Sequence, residues 1–214
     1  MKVIEDRRVR RTRSALGAAL VELVLEKGFH TVTVDQLVER ADVGRATFYA
    51  HYRDKEDLLV WVVRDLALDR VRVMPAVEQA DAGAEGIAEL PLLHLFQHAE
   101  RERPACQVIL RGEGDGRALR EFTEIIGELA GDVFRSRCRQ AGVQPRVPLE
   151  VVARAWTGEV VGVLSWWIEG GTGLSAAEVT RHLCDYSAYG RMWASGLSDA
   201  PALGSREAAP PPRT

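Results

Sequence analysis

Residues 43–59, VGRATFYAHYRDKEDLL, decide how this chain is read. They place Tyr49, His51, Tyr52 and Lys55 within one short helix and its exit. A helix made only to be buried repeats apolar residues at i, i+3, i+4 and i+7. Here polar-tipped aromatics and cations break that pattern. Just upstream, residues 33–36 read TVDQ, a capping box in which Thr33 caps Gln36 and Gln36 reaches back. Val34, Leu37, Val38 and Ala41 form the buried face of the helix this opens, which ends near Asp42. Asp42, Val43 and Gly44 make a tight turn, with Gly44 expected to let the backbone reverse sharply. A second, very short helix runs from residue 45 to about 51. Two helices joined this way form a helix-turn-helix, a motif that lays its second helix in the major groove of DNA.

The side chains suit that placement. Arg45, Ala46 and Thr47 occupy the first turn of the short helix, where side chains reach base edges. Arg45 suits the O6 and N7 of guanine, Ala46 permits close approach, and Thr47 can bond a base or a phosphate. Tyr49, His51 and Lys55 suit phosphates, which set register and give salt-sensitive affinity. With Thr33 these residues form the candidate duplex-contacting set. Phe48 and Tyr52 are expected to pin the short helix to the core.

Working outward, nearly everything reads helical. Leu16, Ala19, Leu20, Leu23 and Val24 define a first helix from about residue 12, stopped by Gly28. Asp54 opens a fourth helix with Glu56 and Asp57 at its positive end, expected to run to about Met74 before Pro75. Residues 80–86 read as a connector. Helices follow at 90–103, 104–110, 117–141, 148–168 and from about 175 to 194. Gly142 closes one of them, Gly170 and Gly171 another, and residues 175–178, SAAE, form a second capping box. Residues 112–116, GEGDG, have the wrong glycine spacing and too many acids to cradle a phosphate. Residues 196–214, with four prolines and few large apolar side chains, are expected to be a disordered tail. The expected fold is all-α with about nine helices, divided into 1–58, 59–195 and the tail.

Composition bounds the function. The 214 residues are 46% hydrophobic, with net charge −3 and pI near 6.0. Charge is unevenly placed, because residues 1–13 carry +4 and leave about −7 for the rest. A basic arm on an acidic body suits a local polyanion contact. Cys106, Cys138 and Cys184 show no ligand spacing and read as reduced thiols. The longest apolar run, residues 160–168, is far below the ~20 residues a bilayer needs. With no signal-peptide pattern at its start, the chain is expected to be cytoplasmic, with no membrane partner.

Residues 12–59 closely resemble the DNA-binding domain of the TetR family of bacterial transcriptional regulators. Glu26, Gly28, Phe29, Thr33, Leu37, Ala41, Val43, Thr47, Tyr49, Tyr52, Lys55 and Leu58 carry the match over 48 residues. The departures are Val32-Thr33-Val34 where many members have a Thr-Thr pair, Asp42 in place of a common glycine, and Gly44-Arg45 in place of a Ser-containing pair. The resemblance implies a homodimer whose N-terminal heads bind a palindromic double-stranded operator. It also implies a larger C-terminal domain that holds a small organic ligand and the dimer interface, with repression as the family default and no catalytic residue or cofactor.

Residues 150–171 and 175–190 resemble the last two helices in one branch of that family. The residues themselves agree. Residues 160–168 are apolar on all sides, so more than one subunit should bury them. Gly158 and Gly162 allow close helix approach, and Trp166 and Trp167 point to opposite flanks. His98, Cys106, Phe122, Ile126 and Trp156, with Phe96, are candidate pocket walls, although core packing explains each equally well. His94 and His98 have metal-pair spacing, but no third ligand is placed and no metal site is assigned. Two rival classes remain: an enzyme using His98 and Glu159 in an all-α pocket, and an interaction module that keeps the helix-turn-helix as scaffold. No nucleophile motif supports the first.

Overall fold

A computed structural model describes residues 7–71, 89–170 and 173–195. Among those residues every regular element is helical and there is no strand. Nine α-helices are described: α1 (Arg7–Lys27), α2 (Val34–Arg40), α3 (Arg45–Tyr49), α4 (Lys55–Val71), α5 (Glu89–Arg101), α6 (Arg103–Leu110), α7 (Arg117–Ala141), α8 (Leu149–Glu169) and α9 (Ala176–Ser195). A 3-10 turn, Phe29–Thr31, joins α1 to α2. The expected end of α4 near Met74, the connector at 80–86 and the tail at 196–214 lie outside the described residues.

α1 begins by Arg7 rather than at Thr12. Arg7, Arg8, Arg10, Arg11 and Arg13 therefore ride on its first two turns, not on a separate arm. Arginine is a good helix former, so these residues extend the helix that the apolar repeat begins. Leu16, Leu20, Leu23 and Val24 are buried, and α1 packs on α2, α4 and α6. Both capping boxes form. Gln36 N donates to Thr33 Oγ1 at 3.4 Å while Thr33 N donates to Gln36 Oε1 at 3.0 Å. Ser175 N and Glu178 Oε2 meet at 2.8 Å in the second.

The body is a helical stack. α7 packs most extensively on α8, α9 lies against α5 and α8, and α4 runs alongside α7. α6 sits between α1 and α8, so the head helices and the body share one continuous apolar core. Pro148 caps α8 rather than taking its first helical position. Gly142 closes α7 in the left-handed region with φ 63°.

The loop 112–116 has a structural task that its sequence did not advertise. Gly114 lies over Phe29, and a Cβ placed there would be 2.9 Å from the ring. With φ +78° and no side chain, Gly114 lets the body loop dock directly on the head.

Candidate nucleic-acid interface

The turn between α2 and α3 forms differently from the sequence expectation. The reversal occurs at Asp42, which sits in the left-handed region at φ 53°. Val43 N then bonds Val38 O at 2.9 Å. Gly44 is extended (φ −77°, ψ 150°) and serves as the N-cap of α3. Aspartate tolerates the left-handed region better than most residues, so the chain turns here without the glycine common in similar sequences.

α3 is anchored through one side chain and presents the others. Phe48 is fully buried, with ring centroids 5.3 Å from Tyr49 and 5.7 Å from Tyr52. Tyr52 is buried in turn and meets Trp61 of α4 edge-on at 6.2 Å. Arg45, Ala46 and Tyr49 are exposed, Thr47 and His51 are half-buried, and Thr33 is exposed at the start of α2. α3 therefore carries four of the seven candidate contacts, with His51 in the turn just beyond it.

Arg45 and Lys55 have protein partners. Arg45 Nη1 donates to Asp35 Oδ1 at 2.5 Å, and its guanidinium carbon lies 5.9 Å from the Tyr49 ring centroid. Lys55 is directed inward. Its Nζ donates to Phe29 O at 2.7 Å and Val32 O at 2.9 Å, and sits 4.6 Å from the Phe29 ring centroid. Two of its three N–H donors thus tie the α1–α2 junction to the start of α4.

Behind α3, an open cleft of about 620 Å³ separates the head from α7. Arg13, His51, Arg53, Asp57, Arg117 and Arg120 line it among others. Asp57 accepts from Arg53 Nε at 2.6 Å and from Arg117 Nη1 at 2.8 Å. Arg53, opposed by burial and helped by Arg117, holds the Asp57 carboxyl well below the usual carboxylate range. Arg117 also bonds Asp115 Oδ2 at 2.6 Å and Asp54 Oδ1 at 3.3 Å. Asp54 caps α4 as expected, accepting from Asp57 N at 2.6 Å.

The body candidates fall in two groups. Cys106 on α6, Phe122 and Ile126 on α7 and Trp156 on α8 are buried, while His98 on α5 is half-buried. Trp156 stacks edge-on to Phe134 at 6.3 Å. Phe96 is fully buried against Trp167 at 5.4 Å. None of these lines the cleft behind α3. Gly158, Gly162 and Trp166 are exposed on one face of α8, with Trp166 at 56%. A Cβ at either glycine would meet nothing within 4 Å. Trp167 points the other way, buried, with Nε1 donating to Leu174 O at 2.9 Å. Burial pushes the Cys138 thiol up. Among the described residues no three His, Cys, Asp or Glu side chains converge on a metal position, and no helix is long and apolar enough to cross a membrane.

Asp35, Asp57 and Arg117 were not among the sequence candidates. The Arg53–Asp57 spacing was a visible hint, whereas the pairings of Asp35 and Arg117 depend on how helices are set together.

Two family models match this chain. "Bacterial regulatory proteins, tetR family" matches residues 16–61, and "Transcriptional regulator C-terminal region" matches 89–188. The chain belongs to the tetR family of bacterial regulatory proteins. It is 40% identical over 60 residues to the HTH-type transcriptional regulator YxbF of Bacillus subtilis, which is 28% of this chain and 16% of that protein. The chain thus spans well under two thirds of that relative. Its fold matches a TetR-family regulator from Syntrophomonas wolfei with TM-score 0.72 at 18% identity, covering 83% of this chain and 93% of the other. It also matches FadR from Bacillus subtilis in complex with stearoyl-CoA, with TM-score 0.67 at 15% identity over 86% and 98% of the two chains.

Proposed function

We propose that the protein is a ligand-responsive transcriptional repressor that binds a palindromic DNA operator as a homodimer. The observation that carries this is the α3 face: Arg45, Ala46, Thr47 and Tyr49 are presented around one fully buried anchor, Phe48, with His51 in the turn just beyond the helix. In this reading residues 1–58 are the duplex-binding head and 59–195 the ligand and dimer body. Thr47 and Tyr49 take phosphate or base contacts, and Arg45 reads guanine. Thr33, at the mouth of α2, faces the backbone. The remaining donor of Lys55 is available for a phosphate. The arginines on the first turns of α1 add attraction for the polyanion.

Dimerisation uses α8 and α9. The exposed strip of Val151, Gly158, Gly162 and Trp166, with Tyr186 on α9, supports a second copy of the chain there. Two heads must then lie about 34–36 Å apart to enter successive major grooves.

A small organic ligand is the proposed signal, in keeping with the named ligand of the FadR neighbour. Its walls would be His98, Cys106, Phe122, Ile126 and Trp156. These side chains are packed, so a ligand there has to separate α7 from its neighbours. α7 carries Arg117, which holds Asp57 and Asp54 of the head, and follows the loop docked on Phe29. α4 is the lever between the two parts. A ligand that favours a different head spacing releases the operator; one that binds both arrangements equally does nothing.

The test is duplex binding by fluorescence anisotropy, using sequences selected from a random library by the protein itself. Tyr49→Ala and Thr47→Ala should each weaken binding about tenfold, with unchanged circular dichroism, and affinity should fall steeply with salt. A parent protein that selects no duplex sinks the proposal.

A further inference from the structure

We propose that Asp35 is a specificity-determining residue: its carboxylate aims Arg45 at a guanine edge and discourages binding to duplex of arbitrary sequence. The inference rests on the duplex-binding reading above. Asp35 occupies the first turn of α2 and Arg45 the first turn of α3, ten residues apart in the chain. The Asp42 turn folds the two ends together, and the pair closes at 2.5 Å with 59% of Arg45 and 65% of Asp35 exposed. The pair therefore lies on the outer face, beside Ala46 and Tyr49, and not in the core.

Capping does not explain Asp35, since Thr33 and Gln36 already satisfy the start of α2. An acid in that first turn is favourable for the α2 dipole, which is the ordinary role against which the proposal must be measured. What singles Asp35 out is the partner. A cation in the first turn of α3 stands at the wrong end of its helix dipole, and the carboxylate offsets that. Arginine carries five N–H donors in a rigid fork. With Nη1 held by Asp35 and the guanidinium beside Tyr49, the opposite edge remains for the O6 and N7 of guanine. Held at two points, Arg45 has less freedom left to lose on binding. A loose arginine would accept any phosphate within reach, and an exposed carboxylate repels phosphates.

The signature is two changes in opposite directions. Removing the carboxylate should raise affinity for unrelated duplex several-fold while lowering discrimination at one guanine about tenfold. Loss of helix stability would lower both. The experiment uses the full chain and a duplex that it selects from a random library. Each guanine of the half-site is replaced in turn by 7-deazaguanine, which lacks the N7 acceptor. The parent and Asp35→Glu should be sensitive at one guanine. Asp35→Asn, Asp35→Ala and Arg45→Ala should lose that sensitivity, and the two Asp35 variants should bind a scrambled duplex more tightly. If Asp35→Ala keeps the parent's sensitivity, or loses affinity for both duplexes in proportion, the Asp35 role is wrong while the duplex reading stands. If the parent selects no sequence, both fall.

Discussion

Arg117 at the start of α7 donates to Asp57 in the first turn of α4 at 2.8 Å, joining body to head across sixty residues of chain. The same carboxylate takes two side-chain bonds from Arg53, so one acid ties together the exit of the helix-turn-helix, the α4 lever and the long body helix. The loop immediately before Arg117 rests on Phe29.

This arrangement predicts a defined pH dependence. The Asp57 carboxyl is depressed in the folded protein, so its contribution is fully present above the ordinary aspartate value near 4 and is lost as pH falls further. Asp57→Asn should cost about 1–2 kcal/mol at pH 7, because charge-assisted bonds from two arginines are lost. The gap between the urea midpoints of the two proteins should begin to narrow below about pH 4 and close only once the pH falls below the depressed folded value of Asp57. A gap that does not narrow at all as pH falls from about 5 to about 2 would show that the charge is not responsible.

Lys55 should behave as a structural clamp. Its ammonium satisfies the carbonyls of Phe29 and Val32, so Lys55→Met should lower stability by about 1–3 kcal/mol. For a chain of this size that is a drop of roughly 2–4 °C in Tm for each kcal/mol. Tyr49→Ala, on the exposed face, should leave Tm within a degree or two. Thermal melts of both variants decide this, and equal Tm values would remove the clamp.

Asp42 holds a left-handed conformation without being glycine. Asp42→Gly should therefore stabilise the protein by about 0.5–1 kcal/mol, since glycine adopts that region without a Cβ clash. Gly44→Ala should be nearly neutral, because Gly44 is extended and a Cβ there would make only an ordinary contact, 3.9 Å from Thr47 Oγ1. Chemical denaturation measures both, and the reverse order would place the turn at Gly44.

The exposed α8 strip should be the self-association surface. Gly162→Arg and Trp166→Arg would bury an unpaired charge between two subunits and should cost several kcal/mol of assembly. Sedimentation should report a dimer for the parent and a folded monomer for each variant. A monomeric parent at micromolar concentration ends this assignment.

Much of the architecture is local, and local chemistry was enough to read it. The capping boxes at Thr33 and Ser175, the Asp54 cap, the Gly142 stop and the apolar spacing of α1 and α2 each lie within a few residues, because helix formation depends on groups three or four apart. Phe48 as the anchor of α3 and the opposed flanks of Trp166 and Trp167 follow from the same periodicity. Tertiary structure decided what joins distant residues. Asp35 reaches Arg45 only because the chain reverses at Asp42, a backbone choice that Gly44 seemed better suited to make. Lys55 gives two of its donors to carbonyls because the 3-10 turn at Phe29 presents them to it. Gly114, in a loop without apparent purpose, became the seat of Phe29 once α6 and α7 had packed. Helix periodicity determines which face is apolar, but which carboxylate meets which cation is settled by helices coming together, through contacts with no sequence spacing of their own.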